Sequence, residues 1–252
     1  MLSAGLGLEG ARLISLCGAG GKTTLLFALA REFAARGERV LVTTTTRIAR
    51  AEAAGAEAGG RTAMLLFSGV TPDGRKLTGI APDLVDALKR TGEFDRILVE
   101  ADGAARRPLK ASAPHEPVIP SSTDALIAVA GLNGLGLPLQ EVNVFRAEIW
   151  AQLTGTRLGS PVTAESIARM ALHAGGFFKG SPAGARRILF LNRADTPERL
   201  GAAMQVAELL ASSRNRPPER VALGCLLPTP RIDGGAQVFA AESGHPRTLL
   251  LD

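Results

Sequence analysis

The sequence has no tyrosine, one tryptophan and two cysteines, and each shortage removes a class of protein. Cys17 and Cys225 are too few for a disulfide framework and lack the spacing of a zinc site. Aromatic residues make up 4% of the chain, too few for the stacking platforms that grip single-stranded nucleic acid. Long apolar runs are missing as well, and nothing approaches the roughly 20 residues that a membrane-crossing helix needs. The first residues carry no charged start and no cleavage signal, and they run directly into a strand-like segment, which predicts a cytoplasmic protein.

What remains is an ordinary globular composition. With 252 residues, 46% hydrophobic and 21% charged, the chain can bury a sizeable core, which argues against global disorder. The net charge of +5 comes mostly from arginine, and without aromatics it reads as a solubility feature rather than a nucleic-acid footprint.

Short β-type runs alternate with amphipathic helical stretches, the pattern of an α/β protein with a mostly parallel sheet. Strand-like runs fall at 13–17, 39–44, 63–67, 96–100, 125–129 and 187–191, and 221–225 reads as the last core strand. Helices are predicted at about 22–36, 82–90, 146–153 and 164–173, and a helix and loop at 51–62. Thr196 can cap a further helix with Pro197 at its first position, burying a stripe of Leu200, Ala203, Ala207 and Leu210. Thr71-Pro72-Asp73-Gly74 reads as a turn. The expected architecture is a P-loop NTPase-like three-layer sandwich, one domain over 1–252, with 131–180 a helical insertion or subdomain.

The chemistry begins at Gly18-Ala19-Gly20-Gly21-Lys22-Thr23-Thr24, between the first strand and the first helix. Glycines let backbone N–H groups turn toward a phosphate, and the helix N-terminus favours an anion. Lys22 can reach the outer phosphates, and the Thr23 hydroxyl can ligate Mg²⁺. The usual pattern has a glycine six residues before the lysine, and here that residue is Leu16. The loop is the compact G-x-x-G-K-T-T form, similar to that of Mur-type ligases.

Downstream, 96–103 looks like a Walker B strand, an apolar run ending in Glu100 and Asp102. Two apart, these acids share one side of a continuing strand, so one can hold Mg²⁺ and the other can orient a water or substrate hydroxyl. Their division of labour stays open. Thr43 to Thr46 and Arg47 end the second strand, which lies beside the first in many P-loop folds. Their hydroxyls, that of Thr45 among them, can contact Mg²⁺ or the γ-phosphate, and Arg47 can stabilise transferred charge; threonine also suits strands for packing alone. The Pro-rich segment 104–120 places Arg106, Arg107 and Lys110 after the acids, suited to an anionic substrate. His115-Glu116 follows; His115 can be a general base, a soft-metal ligand or a hydrogen-bonded structural residue.

GAGGKTT (18–24), TTTTRI (43–48), VEADGA (99–104), RPLK (107–110) and HEPVIP (115–120) together resemble the YqeC family, most densely over 13–131 and more loosely to about 228. That family is described as accessory to selenium-dependent molybdenum hydroxylases, or as selenium cofactor biosynthesis proteins. The resemblance implies an Mg²⁺-dependent nucleotide-driven factor that helps insert or activate selenium, with a molybdenum hydroxylase or its maturation proteins as partner. By position it implies Gly18, Gly20, Gly21, Lys22, Thr23 and Thr24 for the nucleotide, and Glu100, Asp102, Lys110, His115 and Glu116 on the reaction face. Arg47 stands where lysine is expected. Phe145 replaces the histidine of an expected His-Arg pair, leaving Arg146 as a candidate anion contact.

Asn192-Arg193-Ala194-Asp195 resembles the guanine-reading N-K-x-D motif, which favours GTP over ATP; the same residues also suit a turn or a helix cap. Cys17 and Cys225 end two strands and read as small core residues. The leading functional reading is an NTP-hydrolysing maturation factor. A kinase or ligase for a small anionic metabolite comes second, and a non-catalytic binding module third.

Overall fold

In the computed structural model, which describes residues 1–49, 63–226 and 238–242, the first strand, β1 (Leu13–Gly18), is buried along its whole length. Strand side chains alternate between faces, so a strand buried on both sides must lie inside a sheet covered twice. Ile14 and Leu16 enter one hydrophobic cluster, while Leu13 and Cys17 point to the other side.

Seven further strands share a sheet with β1. These are β2 (Val40–Thr44), β4 (Met64–Leu65), β7 (Arg96–Glu100), β9 (Ala125–Gly131), β11 (Arg186–Asn192), β12 (Arg220–Gly224) and β13 (Val238–Glu242). Together with β1 they form an eight-stranded sheet in the order β13-β12-β11-β9-β1-β7-β2-β4. All pairings are parallel except that of β12 with β13.

One face is covered by α1 (Leu2–Gly5) and α2 (Lys22–Ala35), where Leu26, Leu29 and Phe33 pack with Ile14, Leu16, Val42, Leu98 and Ile127. The other face has two covers. Helix α3 (Pro82–Thr91) sets Val85 against Leu13, Leu41, Ile97 and Val99. Helices α4 (Ala147–Thr154), α5 (Ala164–Leu172) and α6 (Pro197–Ala211) share a cluster with Leu126, Leu189 and Leu191. Trp150 of α4 is fully buried there and meets the edge of Phe177 at 5.7 Å. Burial of each such large side chain stabilises the fold by about 1.5–3 kcal/mol. Three layers result, and the fold is the expected α/β type with a mostly parallel sheet. The helices of 131–180 lie between β9 and β11 in sequence and pack within this layer.

Several expectations are corrected. β2 does not lie beside β1; β7 stands between them and pairs with both. The connection from β1 through α2 skips one position, which the later β7 fills. The sheet continues past β12 with the antiparallel β13, and the 63–67 run shortens to β4. Leu200 is 36% exposed, because the buried i, i+3, i+4, i+7 set of α6 is Ala203, Val206, Ala207 and Leu210. The turn at 71–74 joins β5 (Gly69–Val70) to β6 (Lys76–Thr78), which pairs with β3 (Arg47–Ala49) in a second sheet. In the Pro-rich segment, β8 (Leu109–Lys110) pairs with β10 (Val144–Phe145). The helix and loop expected at 51–62 lie outside the described residues.

Candidate nucleotide-binding site

Parallel strands end on one edge, and side chains that follow them meet there. The ends of β1, β7, β9 and β11 bring Gly18, Glu100, Gly131 and Asn192 to that edge. The turn into α2 runs through glycines in left-handed conformations, Gly20 at φ 81° and Gly21 at φ 132°. A Cβ on Gly20 would lie 2.5 Å from the Pro108 carbonyl oxygen, and one on Gly21 would collide with the Asn192 side-chain amide. Glycine is therefore required by conformation and by space.

Lys22 begins α2, is buried, and folds back so that its ammonium donates to the Gly18 carbonyl at 2.7 Å. It also stands 3.2 Å from Asp102 Oδ1 and 3.6 Å from Glu100 Oε1, so both acids converge on it. Burial works against its charge, but Asp102 and Glu100 outweigh that and raise its pKa above the usual lysine value. The Thr23 hydroxyl donates to Glu100 Oε2 at 2.8 Å, and the Gly18 N–H donates to Asp102 Oδ2 at 3.1 Å.

Asp102 is fully buried and leads inward rather than into the open cavity. Its Oδ2 lies 2.9 Å from Lys110 Nζ, which donates to Glu116 at 2.7 Å; Glu116 in turn accepts from both terminal nitrogens of Arg146 at 2.7 and 3.1 Å. A ladder of alternating charge thus runs from Lys22 to Arg146. Burial alone would raise the Glu116 pKa, yet the hydrogen bonds from Arg146 and Lys110 bring it down to about 2. Oδ1 of Asp102 has an ion-pair partner in Lys22 but no donor aligned on it for a hydrogen bond.

Above the loop lies a cavity of about 880 Å³, lined by Gly20, Gly21, Lys22, Thr23, Thr24 and Glu100 and by a set of arginines. Arg47, Arg106 and Arg107 line it, whereas Lys110 is turned into the ladder. The cluster of cations read at 106–110 is thus divided, because the pairing of β8 with β10 points Lys110 inward. Thr45 donates to the Val118 carbonyl at 2.6 Å, and His115 is exposed; neither lines the cavity.

Asn192 is buried and lines the cavity, but its amide is engaged with the loop itself, donating to the Gly20 carbonyl at 2.7 Å and accepting from Leu226 N–H at 3.2 Å. Asp195 is exposed beside the cavity, bonded to Arg199 at 2.5 Å and accepting from the Cys225 thiol at 3.6 Å. The Cys17 thiol donates to the Phe177 carbonyl at 3.3 Å, and burial pushes its pKa far up, as suits a core residue.

Arg31, Arg75 and Lys76, which no motif in the sequence marks, also line the cavity. Arg75 and Lys76 follow a recognisable turn, but nothing local to them says that the turn folds over the phosphate loop.

The donor set suits a nucleotide with Mg²⁺. Thr23 and Glu100 set two hard oxygen ligands side by side, and Mg²⁺ takes few protein ligands and fills its shell with water and substrate phosphate. No group of three or more His, Cys, Asp or Glu is placed to hold a metal among the described residues.

A parallel sheet that carries a glycine-rich turn, its lysine and two carboxylates to one edge is a P-loop NTPase-like fold. Within that class the chain belongs to the YqeC family. The family model described as "YqeC protein" matches residues 14–148. A protein of Escherichia coli K12, described as uncharacterized protein YqeC, is 36% identical over 232 residues, covering 87% of this chain and 90% of the relative.

Solved structures that match parts of the chain include chloroplast FtsY from Physcomitrella patens, with TM-score 0.47 and 18% identity over 86% of this chain. FlhF complexed with GMPPNP and Mg²⁺ gives TM-score 0.45 and 15% identity over 95% of this chain and 70% of its own. This chain spans 60% of the chloroplast FtsY chain. No helix among the described residues is long and apolar enough to cross a membrane.

Proposed function

We propose that this chain binds an Mg²⁺-nucleoside triphosphate on Gly18 to Thr24 and hydrolyses it slowly while acting on a partner. The observation that carries the reading is the placement of Lys22. Its ammonium is held between two carboxylates and the Gly18 carbonyl, at the first turn of a helix whose preceding glycines line the cavity.

Each residue has a defined task in this reading. Loop N–H groups and the N-terminus of α2 bind the phosphates. Lys22 neutralises the outer phosphates, with Asp102 keeping it charged and aimed. A bound Mg²⁺ supplies further charge neutralisation, and Thr23 and Glu100 would hold it. Glu100, the carboxylate that lines the cavity, also orients the attacking water, whereas Asp102 is turned away from it. Asn192 positions the loop through Gly20. Asp195 is the residue through which GTP would be favoured over ATP. A slow nucleotide-hydrolysing site coupled to a partner fits the family's implied role in maturing selenium-dependent molybdenum hydroxylases, with the hydroxylase or its maturation proteins as that partner.

Calorimetry with ATP, GTP and their Mg²⁺ complexes tests the reading. Wild type should bind one or both, and Lys22→Ala should weaken binding by about tenfold or more, since a charge-assisted contact of about 1.5–3 kcal/mol is lost. Failure of wild type to bind either nucleotide would sink it. Asp195→Ala should narrow any preference for GTP, and an unchanged ratio would remove Asp195 from base reading. A second reading, transfer of the terminal phosphoryl group to a small anionic metabolite, draws on the arginines around the cavity.

A further inference from the structure

The cavity above the loop is lined by eight basic residues and a single carboxylate, Glu100, among the described residues. These cations are not alike. Lys22 is engaged in the floor, and Arg193 lies 3.7 Å from Asp195. Arg107 donates to the Glu141 backbone carbonyl at 3.0 Å. Arg31, Arg47, Arg75 and Arg106 form no ion pair among the described residues. A cluster of like charges in a concave site is mutually repulsive, and its cations are available to an anion that enters.

Position separates this cluster from the nucleotide's own contacts. Along the sheet edge the order is β11, β9, β1, β7, β2, so Asn192 and Arg193 lie on one side of the phosphate loop. Glu100 lies on the other. Past it, the strip that follows β6 is bonded to the end of β2, Gly79 N–H to the Thr46 carbonyl at 2.7 Å and Ile80 N–H to the Thr44 carbonyl at 2.9 Å. This brings Arg47 of β3 and Arg75 before β6 to that side. Arg106 enters from the segment after β7. There the backbone takes two consecutive left-handed non-glycine conformations, Ala105 at φ 47° and Arg106 at φ 57°. Such residues cost on the order of 1 kcal/mol or more each and cluster at ligand-binding segments.

We propose that Arg47, Arg75 and Arg106 form a second anion subsite for a small phosphate-bearing molecule, beside the terminal phosphate of the bound nucleotide. The assignment of the first subsite rests on the function proposed above. Three guanidiniums arriving from three separate segments suit a tetrahedral dianion, which accepts hydrogen bonds in every direction. A nucleic acid strand fits less well, since Phe27 is the sole aromatic residue in the lining among the described residues and offers no row of stacking faces.

The test is a calorimetric titration of pyrophosphate into the full chain saturated with Mg²⁺ and a non-hydrolysable nucleoside triphosphate, with equal Mg²⁺ in both solutions. A second binding event is expected without displacement of the nucleotide. The paired substitution Arg75→Ala with Arg106→Ala should weaken it by about tenfold or more, leaving nucleotide affinity within about threefold. Lys22→Ala should weaken the nucleotide by about tenfold or more and keep the pyrophosphate event.

Pyrophosphate that merely competes with the nucleotide, or that binds the doubly substituted chain unchanged, overturns the subsite. Citrate binding as tightly as pyrophosphate overturns its phosphate character. An oligonucleotide that binds more tightly, with a steep salt dependence, reassigns the cluster to nucleic acid and also overturns it. If wild type binds no nucleotide, the function proposed above fails on its own. Pyrophosphate titration of the same protein, with and without the two arginines, still decides the subsite.

Discussion

The floor and the rim of the same cavity handle positive charge in opposite ways. On the floor, Lys22 and Lys110 are buried to 4% and 2% exposure, and each meets Asp102. On the rim, Arg47, Arg75 and Arg106 are exposed and have no ion-pair partner among the described residues. A buried ammonium without a carboxylate is strongly unfavourable, so the floor must be neutralised by the fold itself. An exposed guanidinium is solvated whether paired or not, so the rim can stay uncompensated at little loss of stability. The difference teaches that floor charges belong to the folded structure and that rim charges are left for a ligand.

The sharpest way to break this contrast is Asp102→Asn. It leaves two buried ammoniums without their shared carboxylate, and unfolding free energy should fall by about 3–5 kcal/mol in a denaturant titration. A loss below about 1 kcal/mol would mean that the floor is not held together by that charge.

Glu116→Gln should be milder, about 1–2 kcal/mol, because solvent reaches part of the pair and weakens it. Its signature is the pH dependence. The Glu116 pKa is lowered from 4.5 in the unfolded chain to about 2 in the fold, so its contribution is present above pH 4.5 and is lost as the pH falls toward 2. Melting curves across that window should converge for the two proteins at the acid end. Parallel curves would show that Glu116 is not the group responsible.

Arg75→Ala should have the smallest effect on stability, moving the melting temperature by less than about 2 °C in either direction. A drop several times larger would place Arg75 in the fold and erase the distinction between rim and floor.

Much of the floor was legible before any coordinates. Glycines followed by Lys22 and Thr23 interrupt an apolar strand, and Glu100 and Asp102 end another; polar residues at such places have few packing explanations. The strand-and-helix alternation that defines the layers was equally local. What was hidden depends on contacts between distant segments. No periodicity states that β7 fits between β1 and β2. Arg106, Arg107 and Lys110 look alike in a string of letters, and the β8–β10 pairing alone sends Lys110 inward while the arginines stay at the cavity. Leu200 seemed to extend a buried stripe because helical spacing does not say where the sheet beneath ceases to cover it. Asn192 looked like a base reader from its neighbours, and its bond to Gly20 spans 172 positions.

That last contact sets an order of events during synthesis. A nascent chain that has emerged through β9 already carries the glycines, Lys22 and both acids, yet it lacks the amide that braces Gly20 and abuts Gly21. The brace on Gly20 therefore exists only once β11 has been made and has joined the sheet. Until then a growing polypeptide holds every letter of the motif without that brace.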